Sequence, residues 1–120
     1  MSGPEYVIVL TTLPADADAV DFANALVRER LAACVNIQGQ MRSIYRWQEK
    51  SEEELEQQIV IKTTGSCVNP LFERLRELHP YELPEFLVLP VVDGSDAYLN
   101  WMRESTVAAE PSGAASDEPV

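Results

Sequence analysis

Leu78-His79-Pro80-Tyr81-Glu82-Leu83-Pro84-Glu85 divides a helical apolar pattern from an extended one. Leu71, Phe72, Leu75 and Leu78 lead into it at helical spacing, and a nearly unbroken apolar run, Phe86 to Val92, leaves it. Pro80 disfavours helix at His79, and Pro84 does the same at Leu83. The stretch therefore reads as a stiff helix-to-strand connection. It carries the chain's only histidine, and connections held on a rigid scaffold are where function concentrates. A rigid loop with a solvated histidine is the plain alternative.

Working outward, the same two patterns recur. Tyr6-Val7-Ile8-Val9-Leu10 is apolar at successive positions, as in a strand buried on both faces. Pro14 stops it, and Asp16 or Asp18 is placed to cap a helix in which Val20, Ala23, Leu26, Val27 and Leu31 recur. Cys34 to Trp47 is extended, with Gly39 marking a bend or bulge. Gln48 to Glu54 reads as a polar turn whose Glu52-Glu53-Glu54 is solvated, and Leu55 to Thr64 as the third strand. Asn69-Pro70 reads as the cap and first residue of the second helix. Pro90 sends the fourth strand, Phe86 to Leu89, to an edge or a bulge. Asp93-Gly94-Ser95-Asp96 then caps a short helix carrying Tyr98, Leu99, Trp101 and Met102. The order β-α-β-β-α-β plus a short helix predicts an α+β, ferredoxin-like sandwich in one domain, 1–107. Residues 108–120 have no apolar periodicity and read as a disordered acidic tail.

That fold places helices on one sheet face. The first and fourth strands are apolar on both, so the bare face is expected to be covered by other copies of the chain. The second and third strands are longer than a compact hairpin needs, so the excess should project, with Trp47 near its tip in a subunit contact.

Twenty Asp and Glu against nine Lys and Arg give a net charge of −11, which argues against nucleic acid as a partner. No apolar run approaches a membrane span, and Met1-Ser2-Gly3-Pro4 lacks the features of a signal peptide. Two cysteines, Cys34 and Cys67, are too few for a disulfide framework, so a cytoplasmic protein with reduced thiols is expected. Neither a nucleophile-base pairing nor a Gly-rich phosphate loop is present, and no enzymatic activity is expected.

Five segments together resemble one family. Leu31-Ala32-Ala33-Cys34-Val35-Asn36, Tyr45-Arg46-Trp47, Ile59-Val60-Ile61-Lys62-Thr63-Thr64, His79-Pro80-Tyr81-Glu82-Leu83-Pro84-Glu85 and Tyr98-Leu99-Asn100-Trp101 are similar, in order and spacing, to blocks of the CutA divalent-cation-tolerance proteins. The resemblance covers about Tyr6 to Thr106. It implies a ferredoxin-like subunit in a homotrimer, similar in architecture to PII signalling proteins, and tolerance of copper or other divalent cations. It also implies a metal site built from a cysteine and two consecutive histidines. Carried over, these positions are Thr11, Leu78 and His79, of which only His79 is a metal ligand by type.

His79 is therefore the one candidate metal residue, as a copper or zinc ligand. Cys34, Lys62, Tyr81, Glu85 and Trp101 are candidates for an inter-subunit cleft, with Glu85 a carboxylate partner for Lys62. Cys34 reads as a small buried residue and Cys67 as an exposed thiol. The expected function is divalent-cation tolerance by a trimer that binds metal weakly between subunits. The alternatives are a PII-like sensor of a small metabolite and a scaffold with no direct metal role.

Overall fold

The structure, a computed structural model, describes residues 3–107. The chain runs β1 (Tyr6–Pro14), α1 (Ala19–Arg28), β2 (Cys34–Trp47), β3 (Lys50–Thr64), α2 (Val68–Leu78), β4 (Leu87–Pro90) and α3 (Asp96–Glu104). A 3₁₀ turn, Gly65–Cys67, leads into α2. The four strands form one antiparallel sheet in the order β2-β3-β1-β4, which is the ferredoxin-like arrangement expected. The acidic tail expected at 108–120 lies outside the described residues.

Strand alternation divides the sheet into two unlike faces. Val7, Val9 and Leu13 of β1 and Ile59 and Ile61 of β3 pack against Phe22 and Leu26 of α1 and Leu71 and Leu75 of α2. This is the main core. On the opposite face α3 covers one end, where Met102 closes a small cluster with Tyr6 and Ala33. The rest of that face is uncovered among the described residues of the single chain. Leu87 and Leu89 of β4 are 54% and 45% exposed, and they sit opposite Leu10 and Ile8. Pro90 does lie in an edge strand, where its missing N–H costs the ladder nothing.

β1 pairs with β3 only as far as Pro14 opposite Glu56, whereas β2 and β3 continue to Trp47 opposite Lys50. The excess therefore projects as an arm, and the molecule measures 49 × 27 × 26 Å. The ladder slips between Gln38 and Met41, at Gly39, as a bulge requires.

Three local expectations need correction. The turn is not Gln48 to Glu54. It is the two residues Gln48 and Glu49, at φ 51° and 67°, and Glu52, Glu53 and Glu54 all lie within β3. Cross-strand neighbours make this possible, because Tyr45 faces Glu52 and Arg42 pairs with Glu53. The buried stripe of α1 is Ala19, Phe22, Ala25 and Leu26, while Val20 and Val27 are exposed. Asp18 caps this helix by accepting from the Asp21 N–H at 2.9 Å. Asn69 does not cap α2. The 3₁₀ turn feeds the helix directly, and Pro70 falls inside the first turn, where its N–H is not needed.

Candidate functional site

His79 ends α2, its backbone N–H donating to the Leu75 carbonyl, and takes the extended backbone that Pro80 demands. Its ring is buried. The β1–β4 ladder stops at Leu10 opposite Leu87, which leaves the Thr12 carbonyl beyond it. His79 Nε2 takes that carbonyl at 2.6 Å, and Nδ1 lies 3.1 Å from the Tyr81 backbone nitrogen. A backbone N–H can only donate, so Nδ1 is the acceptor; a carbonyl can only accept, so Nε2 holds the proton. The ring is neutral and both nitrogens are engaged. Burial pushes its pKa down, against smaller opposing effects from the Thr12 carbonyl and the Glu56 charge.

The turn held this way delivers Tyr81 to β3. Its hydroxyl donates to Glu56 Oε2 at 2.8 Å, and Thr12 Oγ1 reaches the same oxygen at 3.5 Å. Burial, then the Glu56 carboxylate, push the Tyr81 hydroxyl well above the usual phenol range. Glu56 is only 7% exposed. The ion pairs among the described residues are Arg42–Glu53, Arg74–Glu29, Arg74–Glu77 and Arg103–Glu5, so Glu56 has no cation beside it. Burial, then the Glu56 charge, raise the Glu85 carboxyl, and a hydrogen bond from Gln58 works the other way. Partial burial and the charges of Glu54, Glu52 and Glu56 raise the Tyr45 hydroxyl as well. Alternation puts Glu56 and Gln58 on the sheet face away from α1 and α2, at the root of the arm. Their environment is oxygen-rich and short of positive charge. Such a set suits a hard divalent cation. Among the described residues no three His, Cys, Asp or Glu side chains converge as a metal-binding group.

The remaining candidates fall elsewhere. Cys34 is half-buried and sits opposite Lys62 on that same face, six residues along β3 from Glu56, or about 20 Å at strand rise. Lys62 forms none of the ion pairs above, so its expected pairing with Glu85 is not made within the chain. Trp101 is on α3, its ring tilted against Tyr98 with centroids 5.2 Å apart, toward the Thr64 end of β3. A single chain therefore brings Tyr81 and Glu85 together but not Cys34, Lys62 or Trp101 with them. Trp47 is 40% exposed beside the arm's turn. Thr11 is fully buried on the helix-facing side, its hydroxyl without a partner, and Leu78 packs against the main core. Cys67 is buried rather than exposed. Its thiol accepts from Thr64 and donates to the Val107 carbonyl, each at 3.4 Å.

Glu56 and Thr12 were not among the residues singled out from sequence. Strand alternation places Glu56 with Gln58 and Val60, but it sits at the end of a charged run that reads as solvated. Its burial depends on Pro14, Tyr81 and Thr12, which are remote in sequence.

Comparison with known proteins adds the following. The family described as CutA1 divalent ion tolerance protein matches residues 7–105. The chain is 48% identical over 99 residues to the divalent-cation tolerance protein CutA of Thermus thermophilus, covering 82% of this chain and 96% of that one. It is 45% identical over 105 residues to the protein of the same name from Citrobacter koseri, covering 88% and 91%. Among solved structures it is similar to that of the divalent cation tolerance protein from Thermus thermophilus, with TM-score 0.82 and 46% identity over 85% of this chain and 99% of that one. It is also similar to CutA1 from Oryza sativa, with TM-score 0.84 and 33% identity over 88% and 97%.

Proposed function

We propose a function from one premise: the chain belongs to the CutA1 divalent ion tolerance family. It serves tolerance of divalent cations as a homotrimer, taking copper or another divalent cation weakly at a cleft between subunits. It catalyses no reaction and works in the cytoplasm. No helix among the described residues is long and apolar enough to cross a membrane.

The observation that carries the cation reading is Glu56, a buried carboxylate held by hydroxyl donors, without a cationic partner among the described residues, with Glu85 close enough to feel its charge. An uncompensated buried charge is costly, and a cation or a cationic group from a second copy relieves it. Glu56 and Glu85 would supply oxygen ligands, and groups of a neighbouring subunit would complete the sphere. Titration calorimetry with Cu(II) and Zn(II) tests this. Glu56→Gln should weaken binding by about tenfold or more. Binding unchanged by that substitution, or erased by moderate salt alone, would count against a specific cleft.

Assembly is supported by the uncovered apolar face and by the exposed Ile44, Tyr45 and Trp47 of the arm. The number three comes from the family resemblance. Light scattering should show a trimer at micromolar concentration, weakened in Trp47→Ala by about 2–4 kcal/mol if Trp47 is an anchor. One observation favours a second reading. Lys62, in no ion pair among the described residues and opposite Cys34, offers a positive charge for an anionic metabolite, as in a PII-like sensor. Stoichiometric binding from a panel of nucleotides would favour it.

A further inference from the structure

We propose that His79 is a lock that seats Tyr81 on Glu56, and that in this chain it holds no metal. The part about where cations go rests on the cleft reading above; the part about the lock stands on the geometry of His79 alone.

A metal needs a free lone pair on an imidazole nitrogen. The Nδ1 lone pair receives the Tyr81 N–H, and Nε2 carries the proton donated to Thr12 across 2.6 Å. Coordination at Nε2 would require deprotonating it and opening a buried bond to a carbonyl. Coordination at Nδ1 would release the Tyr81 amide, and with it the turn that places the Tyr81 hydroxyl 2.8 Å from Glu56. A metal on Nδ1 and an intact Tyr81–Glu56 contact therefore exclude one another, and a metal on Nε2 costs the buried bond to Thr12.

The other two positions implied by the family resemblance do not help. Thr11 points into the helix-facing core and offers a hydroxyl where a thiolate is required, and Leu78 offers only hydrocarbon packed on that core. The donor set of the implied copper site is therefore not met by these residues. His79 instead extends the sheet's hydrogen bonding past the end of β4 and stiffens the Pro-Tyr turn from behind. It is a positioning residue.

The test is a zinc titration of the full chain in its native assembly, followed through the imidazole nitrogens by long-range ¹H–¹⁵N correlation. With one histidine in the chain, the signal needs no assignment. The expected result is a neutral ring protonated at Nε2 whose nitrogen shifts hold through zinc saturation. His79→Gln should keep zinc affinity within about tenfold. It should also bring the Tyr81 hydroxyl back toward ordinary phenol titration, read by ultraviolet difference against Tyr81→Phe. A ring protonated at Nδ1, a coordination shift at one zinc per subunit, or zinc binding lost in His79→Gln but kept in Glu56→Gln would overturn the proposal. A wild-type protein that binds no zinc would sink the cleft reading. The lock would then stand on the His79 tautomer. If His79→Gln does not fold, the wild-type nitrogen shifts decide by themselves.

Discussion

The Tyr81 hydroxyl lies 2.8 Å from Glu56 Oε2, tying the turn after α2 to the point of β3 where the projecting arm begins. Because the acceptor is a buried carboxylate, this bond belongs to the stronger class. Tyr81→Phe removes the donor, keeps the ring and leaves Thr12 as the only hydroxyl near that oxygen. Chemical denaturation should show a loss of about 1.5–3 kcal/mol. A loss below about 0.5 kcal/mol would mean that water replaces the phenol without penalty.

Thr11 presents the opposite case. Its hydroxyl is fully buried among apolar side chains with no partner. Thr11→Val keeps the shape and deletes the unsatisfied group, so stability should rise by about 1–3 kcal/mol. A midpoint that falls in urea would show that the hydroxyl is satisfied after all.

Gly65 is required for space. A Cβ there would lie 1.9 Å from the Pro4 carbonyl oxygen, and the Gly65 N–H already donates to Glu5 at 2.8 Å. The obstacle is backbone on both sides and has little room to yield. Gly65→Ala should cost about 1–3 kcal/mol by overpacking, measurable as a lower Tm. Wild-type stability in this variant would show that the Pro4 segment moves freely.

The pH dependence follows from His79. Burial holds its folded pKa below the unfolded value, so the unfolded chain binds the proton more readily. Stability should therefore fall as pH drops below about 6.5, the ordinary imidazole value, and level off once the folded pKa is passed. Glu56 is the charged group that opposes this, and Tyr81 the other titratable group against the ring. His79→Gln should flatten this part of the profile, leaving the carboxylate transitions at lower pH. Denaturation midpoints compared at pH 7 and pH 5.5 provide the check, and equal slopes in both proteins would refute it.

Much of the fold follows from local chemistry, and the sequence shows it. An unbroken apolar run in Tyr6 to Leu10 and alternation in Leu55 to Thr64 mark strands, Asp18 and Ser95 are helix caps, Gly39 a bulge and Pro90 an edge. These features depend on residues a few positions apart, and the β-α-β-β-α-β order follows from them together with the family blocks. Tertiary structure decided the rest. The Gln48-Glu49 turn has no glycine or asparagine to announce it, and it forms because the strand ladder on either side holds both residues at positive φ. Phe22 rather than Val20 faces the core because the sheet selects which helix stripe is buried. The burial of Glu56 and the tautomer of His79 rest on Tyr81–Glu56 and His79–Thr12, contacts separated by 25 and 67 residues along the chain. A residue's type sets which hydrogen bonds it could make. Only the folded chain determines which partner arrives and whether water is excluded, and the protonation of a buried group depends on both.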